Sequence, residues 1–579
     1  MVSLNEYIER SKKLIPKPGK PIKLALLSNF TIKWFEEVLR VLCSEHSIAA
    51  EVYTGGYNQY AQELINQDSK LHNFDPDMVF LLLDTDKFLG EQYQFPYRLN
   101  PAQRKTLIET EFNGLKKLFS KTGSIIIVNS FLIPSFSPMG ILESKQEFGL
   151  KESIEYLNKL LRDYAKQNPK LFVYDFSSFA AKHGHKARAS KLDFMADMKL
   201  DPELVPALCK EYMGYILPVA SKSKKCLVLD LDNTLWGGII GEDGLEGIKL
   251  GPEKEGLPFL EFQKRILALF ERGVILAINS KNNSEDALNA IRNHPYMVLK
   301  EEHFASMRIN WNDKVSNMKE IAKEINIGLD TLVFLDDDKL NRSLIREMLP
   351  EVTVVDLPED VSKYPELIEE LNQFNSLQIT KEDLNKGKLY AQQRKRNVFE
   401  KSSSNIEDFI NKLNMEIKVS RANKFNIPRI SQLTQKTNQF NMTTKRYLEE
   451  QIKELANSED HLVLCCDVKD RFGDNGITGV IIIEKQKSAW LIDTFLLSCR
   501  IIGRQVEDTL INYLLRLARQ SGVKTLKAQF IPTKKNAPAS QFYKSFGFRL
   551  AEENSKMQLW ELSTDTEPRF NKNLKLMEE

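Results

Sequence analysis

The chain has 579 residues, of which 42% are hydrophobic, and its 81 basic and 79 acidic side chains give a formal net charge of +2. This length is too great for one compact domain, and a near-neutral charge creates no field that attracts nucleic acid or an anionic membrane. No stretch is long and apolar enough to span a bilayer, the first ten residues lack the apolar centre of a signal peptide, and the cysteines show no Cys-x-x-Cys spacing. We therefore expect a multidomain protein of the reducing cytoplasm, with no structural zinc and no disulfide framework.

Apolar runs that alternate with amphipathic stretches open the chain. The runs begin at Ile22, Met78, Ser124 and Leu171. Alternation of strand and helix is typical of a parallel α/β domain. We place this domain at residues 1–220.

Ser28 ends the first of these strands. SGNH-type esterases carry a nucleophilic serine at this point, and the domain resembles the SGNH-like fold distantly. The usual Gly-Asp-Ser motif is absent, and so is a convincing Asp-x-x-His pair near the end of the domain. We interpret the domain as a binding or scaffolding unit and Ser28 as a helix-capping residue.

A second set of apolar strands ends in residues that suit phosphoryl chemistry. Asp230 and Asp232 follow one strand, and Ser280 ends the next. A third strand leads into Asp336 and Asp337. Since ligands bind beyond the carboxyl ends of the strands in an open α/β sheet, we expect these side chains to converge. The alternative is an acidic surface cluster on a degenerate nucleotide-type fold.

These residue types predict a division of roles around one phosphoryl group. Asp230 is the candidate nucleophile and Asp232 the candidate general acid and base. Ser280 would donate a hydrogen bond to a phosphoryl oxygen, and Lys314, which opens a helix, would neutralise charge in the transition state. The predicted ligands of a Mg²⁺ ion are Asp230, Asp232, Asp336 and Asp337.

The combined motifs resemble the haloacid dehalogenase (HAD) superfamily and, more closely, the FkbH-like family of its subfamily IIIC. The resemblance rests on residues 232–238, 241–244, 280–282 and 334–337, with further matches at residues 436–441 and 497–500. It implies a HAD-like Rossmannoid phosphatase domain, which we place at residues 221–375. The motif residues expected to contact substrate are Asn233, Thr234, Trp236, Asn279, Lys281 and Asn282.

The resemblance implies an unusual activity. Family members take a phosphorylated three-carbon acid, typically 1,3-bisphosphoglycerate, remove phosphate and place the glyceryl group as a thioester on an acyl carrier protein. The partners would be an acyl phosphate and the phosphopantetheine arm of the carrier, in polyketide-like biosynthesis. Two alternatives are an N-acyltransferase in which the HAD-like domain is auxiliary, and a non-catalytic protein that docks carrier proteins.

The rest of the chain predicts a linker, a second enzyme-like domain and a tail. Residues 376–404 are charged and indicate a solvated connecting helix, whereas residues 405–563 resemble the α+β fold of GNAT acyltransferases. The loop at Arg500 resembles the loop that donates backbone N–H groups to a pyrophosphate in those enzymes. Gln505 stands where that pattern has a small residue, which argues against coenzyme A but not against a phosphopantetheine arm. Residues 564–579 predict a disordered tail.

Cys499 ends a strand just before a helix N-terminus, a position that favours a thiolate. It is either the acceptor of an enzyme thioester or a buried, inert cysteine. Asn279 stands where some relatives carry a cysteine, which excludes a thiol there. Residues 436–441 and 443–446 either line a channel for the acyl group or the pantetheine arm, or form interdomain contacts.

Overall fold

A computed structural model describes residues 2–15, 17, 19–187, 190–401, 405–486, 488–554 and 556–578. The chain divides into two compact units, Met1–Ala220 and Ser221–Glu579. None of the described helices is both long and apolar enough to cross a membrane.

The first unit is built on a parallel sheet, as the alternating pattern predicts. Its strands are β1 (Ile22–Ser28), β2 (Ala50–Thr54), β3 (Met78–Leu82), β4 (Ile125–Asn129) and β5 (Leu171–Tyr174). They pair in the order β2-β1-β3-β4-β5. Both faces are covered by helices, which is why β1 and β3 consist almost wholly of buried apolar residues. The helices are α1 (Leu4–Lys12), α2 (Phe35–Glu45), α3 (Tyr60–Ile65), α4 (Lys70–Phe74), α5 (Thr85–Leu89), α6 (Glu91–Gln94), α7 (Pro101–Phe119), α8 (Leu150–Ala165), α9 (Phe176–His183), α10 (Ser190–Ala196) and α11 (Val205–Val219).

Ser28 is not the helix cap that the sequence suggested. Its buried hydroxyl oxygen accepts the backbone N–H of Phe30 at 3.1 Å, and the next helix begins only at Phe35. The hydroxyl therefore closes a turn at the end of β1, as serine side chains often do in loops.

The second unit begins with another parallel sheet. Its strands are β6 (Cys226–Leu229), β7 (Ile275–Ser280), β8 (Phe304–Ile309), β9 (Leu332–Asp336) and β10 (Thr353–Asp356), in the order β10-β9-β6-β7-β8. The central strand β6 is buried along its whole length, so its carboxyl end opens between the ends of β9 and β7. The helices are α12 (Ile240–Gly247), α13 (Leu257–Glu271), α14 (Ser284–Asn293), α15 (Lys314–Ile325), α16 (Lys339–Met348) and α17 (Tyr364–Glu369).

A mixed sheet completes the second unit. Its strands are β11 (Glu416–Arg421), β12 (Phe440–Asn441), β13 (His461–Asp470), β14 (Gly473–Lys485), β15 (Ala489–Leu497), β16 (Thr525–Phe530), β17 (Arg549–Glu553), β18 (Gln558–Ser563) and β19 (Lys575–Glu578). They pair in the order β17-β18-β16-β15-β14-β13-β11-β19, and β12 pairs with β15. The helices are α18 (Lys381–Leu384), α19 (Lys386–Lys401), α20 (Ile406–Leu413), α21 (Ile427–Lys436), α22 (Glu449–Asn457), α23 (Val506–Gln520) and α24 (Phe542–Phe546).

The prediction of a disordered tail is wrong for the described residues. Strand β19 pairs in parallel with β11, and Lys575 lies opposite Glu416. Earlier in the same segment, the side chain of Asn512 binds both the N–H and the carbonyl of Arg569, at 2.9 and 2.8 Å. These contacts hold the segment on the edge of the sheet.

The connecting helix is also less solvated than predicted. Helix α19 packs against β8 of the second sheet and β14 of the third. Arg396 on α19 is fully buried, and it binds both carboxylate oxygens of the fully buried Asp470, at 2.7 and 2.9 Å. The charged sequence of α19 thus supplies an internal ion pair as well as a surface.

Asp470→Asn should strongly destabilise the second unit. A buried guanidinium left without its carboxylate typically costs about 3–5 kcal/mol. The matched control is Glu359→Gln, which removes an exposed partner of Lys339 and should cost less than about 1 kcal/mol. Chemical unfolding of both variants measures the difference, and equal costs would contradict the structure.

Candidate active site

Three carboxylates meet where the central strands of the second sheet end. Asp230 directly follows β6, Asp336 ends the neighbouring strand β9, and Asp337 comes next. One oxygen from each carboxylate lies within 4.8 Å of the others. The expected convergence of Asp230 with Asp337 is therefore present.

Lys314 ties two of these carboxylates together. It is the first residue of α15, whose N-cap Asp313 accepts the N–H of Ser316. Its Nζ lies 2.9 Å from Asp230 Oδ2 and 2.5 Å from Asp336 Oδ2, and only 2% of its side chain is exposed. Burial favours the neutral amine, but the two carboxylates outweigh burial and raise the pKa of Lys314, so it stays charged.

The single ammonium group of Lys314 does not neutralise the negative charge of the three carboxylates. Among the described residues, the buried Oδ1 of Asp230 has no hydrogen-bond partner. Burial, followed by repulsion from Asp230 and Asp336, raises the pKa of Asp337 to about 6. An unpartnered carboxylate oxygen beside further carboxylates fits a hard divalent cation, which prefers oxygen ligands.

Asp232 lies beside the cluster and is held by three donors. Its Oδ1 accepts Trp236 Nε1 at 2.9 Å and the N–H of Ile240 at 3.1 Å, and its Oδ2 accepts Asn282 Nδ2 at 2.8 Å. Burial nevertheless raises the pKa of Asp232, against the effect of these donors. A carboxyl group with a raised pKa that is fixed in orientation suits general acid and base chemistry.

Several residues that were expected to contact substrate instead hold other parts of the site in place. Trp236 is completely buried and Asn282 nearly so, and both donate to Asp232. Asn279, also buried, donates to the backbone carbonyl of Lys314 at 2.9 Å and so positions α15. Thr234 is buried as well.

Two members of the predicted substrate set are exposed, Asn233 and Lys281. Asn233 has a positive φ of 52°, and its Oδ1 accepts the N–H of Gly238 at 2.9 Å. Ser280 is buried at the end of β7, the strand next to β6. These positions are compatible with a phosphate-bearing substrate above the sheet edge.

Arg342 is a site residue that the sequence did not reveal. From α16, its Nη1 donates to the backbone carbonyls of Asp336 and Asp337 at 2.6 and 2.7 Å, and its Nε binds Asp356 at 3.0 Å. It therefore fixes the loop that presents two of the carboxylates. No spacing rule marks such a residue, because it acts on backbone atoms.

The structure does not bring Cys499 to this site. The side chain of Asn326 donates to the carbonyl of Cys499 at 3.0 Å, and Asn326 caps the carboxyl end of α15. Lys314 lies at the other end of this helix, which has 12 residues and thus a length of about 18 Å. Cys499 is half-buried, and its Sγ lies 3.5 Å from the hydroxyl of Tyr390.

A backbone N–H in the loop before α23 already has a hydrogen-bond acceptor within the chain. The N–H of Gly503 donates to Glu507 Oε1 at 3.0 Å, so a carboxylate takes a donor that could otherwise bind phosphate. Glu507 is buried, and burial raises its pKa to about 7. Gln505 adopts a left-handed conformation, with φ of 63°, at the N-cap of α23.

A gap between two strands of the third sheet is also filled. Strands β15 and β16 pair in parallel as far as Ile492 and Ala528 and then diverge. Residues 440–442, the inserted segment, lie between them. Met442 donates its N–H to the carbonyl of Phe495 at 3.0 Å and accepts the N–H of Ile531 at 2.8 Å.

Two family models and a solved structure match parts of this chain. Residues 23–217 match the FkbH N-terminal domain, and residues 417–558 match an acetyltransferase (GNAT) domain. A solved structure, the N-terminal part of the protein BF1531 from Bacteroides fragilis, contains a phosphatase domain complexed with Mg. The chain is 28% identical to it, with 66% of this chain and 100% of that chain covered and a TM-score of 0.60.

Smaller solved structures match less of the chain. One is the ribosomal-protein-S18-alanine N-acetyltransferase from Escherichia coli, at 14% identity, 27% and 98% coverage and a TM-score of 0.21. Another is a domain from Methanocaldococcus jannaschii, at 13% identity, 26% and 99% coverage and a TM-score of 0.22. Comparison with curated proteins gave no match.

The fold and these matches together describe a multidomain α/β chain, one part of which is similar to a structure that contains a phosphatase domain and another to an acetyltransferase (GNAT) domain. The matches confirm the predicted resemblance to the FkbH-like family, with an FkbH N-terminal domain and a C-terminal GNAT domain in one chain.

Without a divalent cation, Asp337→Asn should stabilise the protein near pH 7. The folded pKa of Asp337, about 6, exceeds its ordinary value of 3.8, so wild-type stability falls as pH rises from about 4 to above 6. The Asp337→Asn variant does not lose stability in this way. The difference in stability between the variant and the wild type should therefore vanish towards pH 4.

Thermal unfolding at several pH values with a chelator, and then with added Mg²⁺, measures this effect. Mg²⁺ should stabilise the wild type more than the variant. A variant that is less stable than the wild type at pH 7 without cation would contradict the inference that the charged Asp337 carboxylate destabilises the wild type.

Proposed function

We propose that the chain is a Mg²⁺-dependent HAD-type phosphatase and acyltransferase. It removes the ester-linked phosphate group from a phosphorylated three-carbon acyl phosphate. It then loads the glyceryl-type group onto an acyl carrier protein. The observation that carries the proposal is the contact of Lys314 with Asp230 and Asp336, with Asp337 in reach of the same point. Mg²⁺ in the phosphatase domain of the BF1531 fragment supports the choice of metal.

The phosphatase step uses two carboxylates in turn. A carboxylate oxygen of Asp230 attacks phosphorus, the P–O ester bond breaks, and Asp232 gives its proton to the leaving alkoxide. Asp232 then takes a proton from the water that attacks the aspartyl-phosphate, which releases inorganic phosphate and regenerates Asp230. Asp230 and Asp337 would hold a Mg²⁺ ion, which would neutralise charge on the phosphoryl group. Lys314 adds a fixed positive charge.

The two phosphates of a bisphosphorylated donor must have different fates. Attack at the phosphorus of the acyl phosphate would release a free carboxylate, which is not activated for thioester formation. We therefore assign the ester phosphate to Asp230. The acyl phosphate then reacts with a thiol: sulfur attacks the carbonyl carbon as the S–H bond breaks, the C–O bond breaks, and phosphate leaves with the proton of the thiol.

Either the thiol of the phosphopantetheine arm or Cys499 could accept the acyl group. Cys499 contacts the residue that caps one end of α15, and Lys314 lies at the other end of this helix, which is about 18 Å long, so an enzyme thioester would require the donor to leave the first site. Direct transfer to the arm avoids that step, and we favour it.

A coenzyme A-dependent N-acyltransferase is the second candidate. The Glu507 carboxylate on Gly503 and the inserted segment between β15 and β16 speak against it, because both occupy places where a nucleotide thioester would bind. In this proposal the GNAT domain binds the carrier protein, and the FkbH N-terminal domain is an SGNH-like binding unit.

Asp230→Asn should lower phosphate release and carrier loading by at least about 10³-fold, because the nucleophile is lost. Inorganic phosphate and the intact mass of the carrier report the two steps. The matched control is Asp286→Asn, at an exposed aspartate in the first turn of α14. Under the N-acyltransferase alternative, the Asp230 variant would still acylate an amine, and that result would overturn the proposal.

Asn282→Ala should move the basic limb of the pH–rate profile upward. Asn282 donates to Asp232 Oδ2 and so stabilises the charged form. Its loss raises the pKa of Asp232 further, so the protonated acid persists to higher pH. Rapid-quench measurement of enzyme phosphorylation tests the shift. Asn283→Ala serves as the control, and a downward or absent shift with Asn282→Ala would contradict the role of Asp232.

A further inference from the structure

A cavity of the first unit lies where its parallel strands end. The chain runs from β1 to β2 on one side and then returns past β1 to β3 on the other, so the strand order reverses there. Ligands of open α/β sheets bind at such a reversal, beyond the carboxyl ends of the strands. The wall of the cavity contains residues that end or follow three strands, namely Phe30 after β1, Leu83 and Asp84 after β3, and Asn129 at the end of β4. The cavity therefore occupies the place where this type of sheet binds ligands.

Hydrocarbon makes up most of the wall of this cavity. The apolar side chains that line it include Leu82, Leu132, Phe176, Leu200 and the ring of Tyr212. An apolar cavity holds no ordered water, because water needs polar partners, and the atoms of its wall lack contacts on one side. The wall therefore favours an apolar group over water.

Polar residues in the wall are already bonded within the protein. The side-chain amide of Asn129 donates to the carbonyls of Leu83 and Ser130, both at 2.9 Å, and accepts the N–H of Leu83 at 2.6 Å. The hydroxyl of Thr85 donates to the carbonyl of Leu132 at 3.0 Å. These bonds hold the ends of β3 and β4 together and leave the amide and the hydroxyl engaged.

Two charged residues of the wall are paired as well. The Nζ of Lys199 lies 2.6 Å from Asp193 Oδ1 and 3.4 Å from Asp197 Oδ1. Asp84 caps α5, where its Oδ1 accepts the N–H of Lys87 at 3.2 Å. A polar ligand group that entered the cavity would have to break such contacts or remain without a partner, and either is costly. The satisfied polar groups therefore select against polar ligands.

The size of the cavity limits the ligand. The space open to the centre of a water-sized atom is about 40 Å³, and the empty space, counted with the open mouth, is about 490 Å³. One water molecule needs roughly 10–15 Å³ by the first measure, so the cavity holds about three groups of that size. The larger volume lies within the range of small-molecule sites, about 300–1,000 Å³.

We propose that this cavity, termed the switch-point cavity, is a binding site for the uncharged hydrocarbon end of a small molecule. The bound end is a short alkyl group, on the order of three or four carbon atoms. The rest of the molecule lies in the open mouth. Such a site is independent of the chemistry at Asp230.

Ligand-observed NMR titration of the full-length protein with 1-butanol and 1,4-butanediol tests the apolar character of the cavity. Both probes have four carbon atoms, but the diol must bury a hydroxyl at whichever end enters. We expect saturable binding of 1-butanol and at least tenfold weaker binding of the diol. Equal affinities, or no saturable binding of 1-butanol, would overturn the proposal.

Variants show whether the probe occupies the switch-point cavity. Ala187→Leu fills part of the cavity, because Ala187 is buried in its wall, and should weaken the binding of 1-butanol at least tenfold. Leu132→Phe is a second filling variant if the first fails to fold. The matched control is Ala181→Leu, at an exposed position of α9, which should change the affinity less than twofold. Unchanged affinity in a folded filling variant would overturn the site.

Crystals of the full-length protein under xenon gas locate the site independently, because xenon enters apolar cavities. The anomalous signal should show xenon in contact with Leu132 and Leu200. Crystals of Ala187→Leu should lose this peak. Xenon bound only elsewhere in the wild type would overturn the proposal.

Discussion

The contact of Lys314 with Asp230 and Asp336 is the interaction on which the site depends. It joins the start of α15 to the ends of β6 and β9, deep enough that the lysine is almost completely buried. Each of these charges would be costly to bury alone, and each partner in the contact lowers that cost for the others. Because one ammonium cannot balance the nearby carboxylates, the same frame leaves Asp230 and Asp337 able to hold a cation.

Supporting residues turn this frame into an oriented site. Arg342 fixes the backbone that presents Asp336 and Asp337, and Asn279 fixes the start of α15. Trp236 and Asn282 do the same for Asp232. Rigid side chains of this kind reduce the reorganisation needed when charge develops on a phosphoryl group. Chemistry and support therefore come from the same short motifs.

The sheets and the acidic cluster could be predicted from the sequence, because buried parallel strands are continuous apolar runs and their carboxyl ends share one edge. The position of Cys499 could not, since it depends on how the third sheet packs against the far end of α15. Arg396 finds Asp470 across 74 residues of sequence, a pairing that a charged helix does not reveal. Strand β19 is short and carries no apolar alternation, so its place at the sheet edge was missed as well.

Anomalous scattering from crystals grown with Mn²⁺, a substitute for Mg²⁺, tests the central claim most directly. The account predicts one strong peak between the carboxylates of Asp230 and Asp337, about 2.1 Å from a carboxylate oxygen of each. Lys314 should still contact Asp230 and Asp336 in that structure. A metal bound elsewhere, or an Asp337 carboxylate turned away from the ion, would contradict the account.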